Sequence, residues 1–302
     1  MSTKTNALET IRPRGAPFEG LGRPIKGPRA LTNDWARFWH LTYNIARNEF
    51  KLKFFGSALG YVWQVMKPLL LFGVLYVFFV VISHVGRGGK PSEQFYGVQL
   101  LGSIVLFTFF AEATTGAVRS VVDRENLVRK IQFPRMVIPL SVVLFCLFNL
   151  SLNLVVVLGF ALLEGVRPML SWVELPLIVA MLVVFATGIA MLLSALFVSL
   201  RDIQPIWEVV NQILFYCSPV IISVGTVKEK VSTTLLHLYM LNPLAVVFQQ
   251  FRHAMISHGA LSAGQALGGW AALLGPLAIV LATFALGFWV FNRSAPLVAE
   301  NL

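Results

Sequence analysis

The chain has 302 residues, 57% of them hydrophobic and 13% charged, and a formal net charge of +10. Soluble domains carry roughly 25% charged residues, and apolar runs long enough to cross a hydrocarbon core recur along this chain. Composition thus leaves no room for a large soluble domain and predicts an all-α, polytopic membrane protein; the roughly 10-residue alternation of a membrane β-barrel is missing. The basic residues sit beside apolar runs, where they set orientation and meet anionic lipid, so the charge is no sign of nucleic-acid binding. Cys146 and Cys217 lie in apolar runs, which gives neither a disulfide framework nor a metal-ligand set.

In chain order, residues 1–31 are rich in Pro, Gly and Arg and read as a disordered basic tail without the apolar core of a signal peptide. Residues 32–55 follow, with Thr32-Asn33-Asp34 placed to cap a helix. Trp35, Phe38, Trp39, Thr42, Ile45, Ala46 and Phe50 then keep a helical period, and Arg37, His40, Asn44, Arg47 and Lys51 gather opposite them. That pattern predicts an amphipathic helix lying in the membrane interface; a helix packed on protein would share it. Gly56 and Gly60 permit a bend, and Pro68 marks a helix start or a kink.

Residues 56–302 read as six spans, at about 62–83, 98–118, 137–163, 175–200, 203–224 and 270–291. Between the fifth and the last, residues 228–258 hold two short segments split by Asn242-Pro243. Each is too short to cross, so they predict a re-entrant or interfacial helical hairpin. Between spans two and three, residues 119–139 form a charged island. Asp123 can cap a short helix over 123–131 on which Leu127, Val128 and Ile131 share one side, before Phe133-Pro134 stops it. A basic loop is the plainer reading of the same residues.

Lys/Arg bias sets the orientation. Eighteen of these residues lie in the segments up to Lys67, the island, the turn at Arg201 and the tail at Arg293, against six on the opposite side. Both termini and the island are therefore expected in the cytoplasm and the hairpin outside.

Catalytic patterns are lacking. Gly86-Arg-Gly-Gly-Lys90-Pro has neither the hydroxyl residue nor the strand-to-helix context of a phosphate loop, and no zinc-protease or nucleophile-elbow pattern occurs. Polar residues inside spans are costly there and carry more information. Glu112 lies in span two and the pair Asn149 and Asn153 in span three. In segment five Glu208 has Asn211 and Gln212 on its face, with Trp207, Phe215 and Tyr216 close by. Ring faces beside amides suit a sugar chain, whose C–H faces stack while its hydroxyls take hydrogen bonds. Bonding between helices is the alternative for the asparagines.

Several of these residues together resemble a known family. They are Gly60-Tyr-Val-Trp63 with Lys67-Pro68-Leu69, Leu127-Val-Arg-Lys-Ile-Gln-Phe-Pro134, Arg201-Asp202, Ser218-Pro219-Val220, and Asn242-Pro243-Leu244 with Arg252. In this order the chain resembles the permease subunit of bacterial ABC exporters of cell-surface polysaccharide, of the O-antigen, teichoic-acid, capsule and galactan type. The resemblance implies a homodimer in the inner membrane, paired with two separate ATPase subunits that bind ATP and Mg, and a lipid-linked polysaccharide as substrate. It implies a coupling helix here made of Asp123, Arg124, Glu125, Leu127, Val128, Arg129 and Lys130, and an outer gate of Pro219, Tyr239, Asn242 and Pro243. The expected path holds Trp207, Glu208, Asn211, Gln212, Phe215 and Tyr216. An exporter of lipid or drug, an ion-coupled flippase and a membrane enzyme remain alternatives. A co-purifying ATPase separates the first from the other two.

Overall fold

The computed structural model describes residues 35–54, 58–84, 95–125, 134–228, 231–256 and 261–294. The N-terminal tail lies outside them, as do Leu127, Val128, Arg129 and Lys130. Every regular element among the described residues is helical. These are α1 (Trp35–Phe54), α2 (Ala58–Tyr76), α3 (Tyr96–Asp123), α4 (Val137–Leu163), α5 (Leu175–Ser199), α6 (Ile203–Cys217), α7 (Val224–Lys228), α8 (Thr233–Met240), α9 (Pro243–Ile256), α10 (Ala263–Ala266) and α11 (Leu274–Ser294). The last turns of α2 widen into a π-helix at Val77–Ile82.

Five helical stretches are long and apolar enough to cross a membrane: Val62–Ile82, Tyr96–Asp123, Val137–Leu163, Leu170–Ser199 and Trp270–Ser294. The chain is thus a polytopic all-α membrane protein. Two expectations need correction. Span two does not stop at residue 118 but runs to Asp123, with Arg124 as its C-cap; the expected helix over 123–131 lies largely outside the described residues. The fifth segment is helical only over Ile203–Cys217, 15 residues, or about 22 Å at 1.5 Å per residue, short of a hydrocarbon core of about 30 Å. Ser218–Ser223 leave the helical path, because Pro219 offers no N–H and partners from elsewhere hold the freed carbonyls.

Helix α3 is the axis of the bundle. It packs on α2, α4, α5, α6 and α9, and 72% of its most apolar stretch is buried, against 6% for Val62–Ile82. The hydrogen bonds set the directions. Trp207 bonds to Thr114, and Tyr96 to the Ile221 carbonyl, so α6 runs antiparallel to α3. Gln64 meets Glu112, and a Cβ on Gly97 would touch Tyr76, so α2 is also antiparallel to it. Helices α5 and α11 cross at Gly188 and Gly287, where a Cβ on Gly287 would overlap the Gly188 carbonyl. Small residues allow such close crossings where lipid gives helices no hydrophobic drive to associate.

Amphipathic α1 lies on α4. Phe38, Thr42 and Ala46 are buried, while Arg37, Arg47 and Lys51 are exposed, as the pattern predicted. Trp35 and Trp39 differ from expectation: they are exposed and stack on each other at 6.2 Å. Phe50 and Tyr43 pack edge-on against Phe148. At the opposite end of the bundle, α8 and α9 form the predicted helical pair, joined through Leu241 and Asn242. Almost all of α9 is buried against α3, α5 and α11, which gives its backbone the protein cover that membrane depth demands.

Candidate translocation site

The break after α6 is held by side chains from three other elements. Arg252 on α9 is 2% exposed. Its guanidinium donates to the carbonyls of Pro219 and Val220, the latter at 2.9 Å, and reaches that of Ile222 at 3.5 Å. Tyr96, at the start of α3, donates to the Ile221 carbonyl at 2.8 Å. Asn242 donates to the Ser218 hydroxyl at 3.1 Å, while its Oδ1 accepts from the Leu244 N–H at 3.0 Å. Four consecutive carbonyls that a helix would have satisfied thus find donors elsewhere, as buried backbone requires. Of the expected gate residues, Pro219 and Asn242 are held here; Pro243 follows Asn242 and opens α9, and Tyr239 lies near the end of α8. Reasoning from sequence left Tyr96 out of this site and named Arg252 only as a family motif residue beside Asn242-Pro243-Leu244; a lone arginine in an apolar helix is the signal that could have given it a role here.

The six expected path residues divide between two faces of α6. Trp207 turns toward α3 and donates to the Thr114 hydroxyl at 3.0 Å; Asn211 donates to Thr115 at 3.0 Å; Phe215 packs on Phe107 at 5.0 Å. Glu208, Gln212 and Tyr216 lie on the exposed face, and Gln204 donates to Glu208 at 3.1 Å. A spacing of three to four residues puts each trio on its own stripe; Trp207 therefore turns away from Tyr216, while Phe215 and Tyr216 meet edge-on at the boundary between the stripes.

Glu112 lines the space between α3 and α6. It is half-buried midway along α3, and the amide of the buried Gln64 approaches its carboxylate at 3.3 and 3.5 Å. Three concavities meet at it. One, of about 310 Å³, lies between α3 and α6 and includes Asn211, Gln212, Phe215 and Tyr216. A second, of about 470 Å³, includes Lys53, Thr115, Phe145 and Cys146. A third, of about 10 Å³, includes Pro68, Asn149 and Asn153. Pro68 lies inside α2 without ending it and supplies no N–H to the carbonyl of Gln64 four residues earlier. Neither asparagine bonds to a neighbouring helix: Asn153 donates to the Asn149 carbonyl on its own helix, and both amide atoms of Asn149 are buried without partners.

At the end of α3 that carries α1, Arg124 forms an ion pair with Glu49 and donates to Ser141 at 3.1 Å. Burial pushes its pKa below the ordinary arginine value. Arg124 is therefore bound within the chain at the start of the island. Asp123 is exposed and pairs with Arg119 at 3.7 Å on the same helix. Among the described residues no cluster of three metal-ligating side chains occurs.

Comparison with known proteins gives one consistent answer. Residues 40–256 match the family model for the ABC-2 type transporter. An O-antigen export system permease protein, RfbA, of Klebsiella pneumoniae is 31% identical over 209 residues, covering 69% of this chain and 77% of that protein. The RfbA permease of Myxococcus xanthus is 27% identical over 230 residues, covering 76% and 85%. A family match across most of the helical bundle, and across every element that builds the Arg252 and Glu112 clusters, makes this chain a member of the ABC-2 type transporter family.

Proposed function

We infer that this chain is the membrane-spanning subunit of an ABC exporter of cell-surface polysaccharide in the inner membrane. The observation that carries the reading is the family match over residues 40–256, joined to relatives named as O-antigen export permeases. No phosphate loop occurs in the sequence, in keeping with a separate ATPase that binds ATP and Mg. Two copies of the chain pair with two such ATPases. The open face of α6, with Glu208, Gln212 and Tyr216, lines the conduit between copies. The island from Asp123 through Lys130 docks on the ATPase, with Leu127 and Val128 as its apolar contacts. Both termini are cytoplasmic, as the Lys/Arg split suggests. Arg37, Arg47 and Lys51 on α1 draw the anionic headgroup of a lipid-linked polymer toward the entry. Pro219, Tyr239, Asn242 and Pro243 form the outer gate.

The test is co-purification together with deletion. A tagged chain should carry a stoichiometric ATPase through purification, and cells lacking the chain should keep lipid-linked polymer in the cytoplasm. A chain that purifies without an ATPase, or a deletion that leaves surface polysaccharide unchanged, overturns the reading.

A further inference from the structure

The groove between α3 and α6 has the chemistry of a sugar subsite, and its charge says which sugars. Asn211 is 7% exposed, lines this groove, and keeps an Oδ1 without a hydrogen-bond partner. Native proteins leave few buried acceptors unused, so this one stands ready for a ligand hydroxyl. Glu112 presents a carboxylate beside it, and the rings of Phe215 and Tyr216, 5.3 Å apart, complete the wall. A carboxylate accepts two neighbouring hydroxyls at once, and the rings take pyranose C–H faces.

No lysine or arginine is among the groove's described lining residues. Glu112 is the one charged side chain among those lining residues; Glu208, one turn from Gln212 on the exposed face of the same helix, lies outside the lining and accepts from Gln204. The groups facing Glu112 from other elements are the Gln64 amide and, across the second concavity, Lys53, whose ammonium sits 4.8 Å from the centre of the Phe145 ring. The charge in the groove between α3 and α6 is therefore the Glu112 carboxylate, with no cation among the described lining residues.

We propose that the Glu112 groove is a subsite for a neutral pyranose, and that it favours uncharged polysaccharide over polymers bearing uronate or phosphodiester groups. Like charges repel far more strongly in a partly dehydrated groove than in bulk water. The inference rests on the export reading above and names the substrate class for it.

Saturation-transfer NMR on the full chain in lipid nanodiscs tests it, with two probes: a neutral hexasaccharide and the same hexasaccharide with alternate sugars oxidised to uronate. The wild type should bind the neutral probe about tenfold more tightly, equivalent to about 1.4 kcal/mol. Glu112→Gln, which keeps the shape, should bring the two affinities within about threefold by strengthening the acidic probe. Glu112→Asp, which keeps the charge, should preserve the preference and guards against a folding artefact. Equal binding of both probes by the wild type overturns the charge selection. Binding of neither probe overturns the subsite. Neither result touches the export reading, which stands or falls on the ATPase and the deletion phenotype.

Discussion

The bundle contains two buried polar clusters, separated by about 24 Å along α3, and they are built in opposite ways. Around Arg252 the backbone oxygens are matched: the carbonyls of residues 219–222 and the Ser218 hydroxyl all have donors, and of the guanidinium only Nε is buried without a partner. Around Glu112 the polar atoms are not matched: the Asn149 amide and Asn211 Oδ1 are buried without partners, and three concavities converge. A satisfied network specifies one conformation, whereas an unsatisfied one carries a standing cost. The first cluster is the kind that holds a fold. The second has the polar groups and the space to receive a ligand.

Substitutions can break or sharpen that contrast, beginning with the largest effect. Arg252→Met keeps the volume but strips donors from buried carbonyls. It should lower stability by on the order of 3–5 kcal/mol, measured by unfolding in mixed micelles, and Arg252→Lys should recover only part because it lacks the planar fork. If Arg252→Met unfolds like the wild type, the contrast between the clusters fails.

Asn149→Leu should act in the opposite direction. It removes a buried amide without partners, and should raise stability by about 1 kcal/mol while reducing polysaccharide export in complemented cells. A loss of stability would mean that Asn149 holds the fold after all. Tyr96→Phe removes the bond to the Ile221 carbonyl. A loss of about 1 kcal/mol in the same unfolding assay is expected.

The smallest effect belongs to the pair at the opposite end of α3. Glu49 and Arg124 are partly exposed, with side-chain accessibilities of 31% and 21%. A double-mutant cycle with Glu49→Gln and Arg124→Gln should give a coupling energy of about 1 kcal/mol or less. The ATPase-stimulated export rate should fall further than stability does, because this pair ties α1 to the end of the helix that leads into the island.

Most of the fold was legible in the sequence because lipid imposes a simple rule. A long apolar run must close its own hydrogen bonds as a helix. Span three was predicted at 137–163 and is found at Val137–Leu163, and span four at 175–200 is helical over Leu175–Ser199. Asn242-Pro243 marked the hairpin turn for an equally local reason, since Asn242 accepts from the backbone two residues on and Pro243 opens a helix. The polar candidates in span two and segment five were also legible, because ionisable and amide groups are rare at membrane depth.

Hydropathy did not predict where those candidates point. It scored the Ser218–Ser223 break as part of a span, since the helix ends there through bonds from Tyr96, 125 residues away in sequence, and from Arg252. Periodicity could place Trp207 and Tyr216 on α6, but only packing on α3 turned Trp207 inward to Thr114 and left Tyr216 exposed. Sequence placed Arg124 in the charged island, and only the approach of α1 supplied Glu49 as its partner. The sequence by itself determined the helices, the membrane and the family, because these follow from local hydrogen bonding, hydropathy and motif order. Tertiary structure alone decided which polar groups are matched and which stand open, because that depends on contacts between residues far apart in the chain.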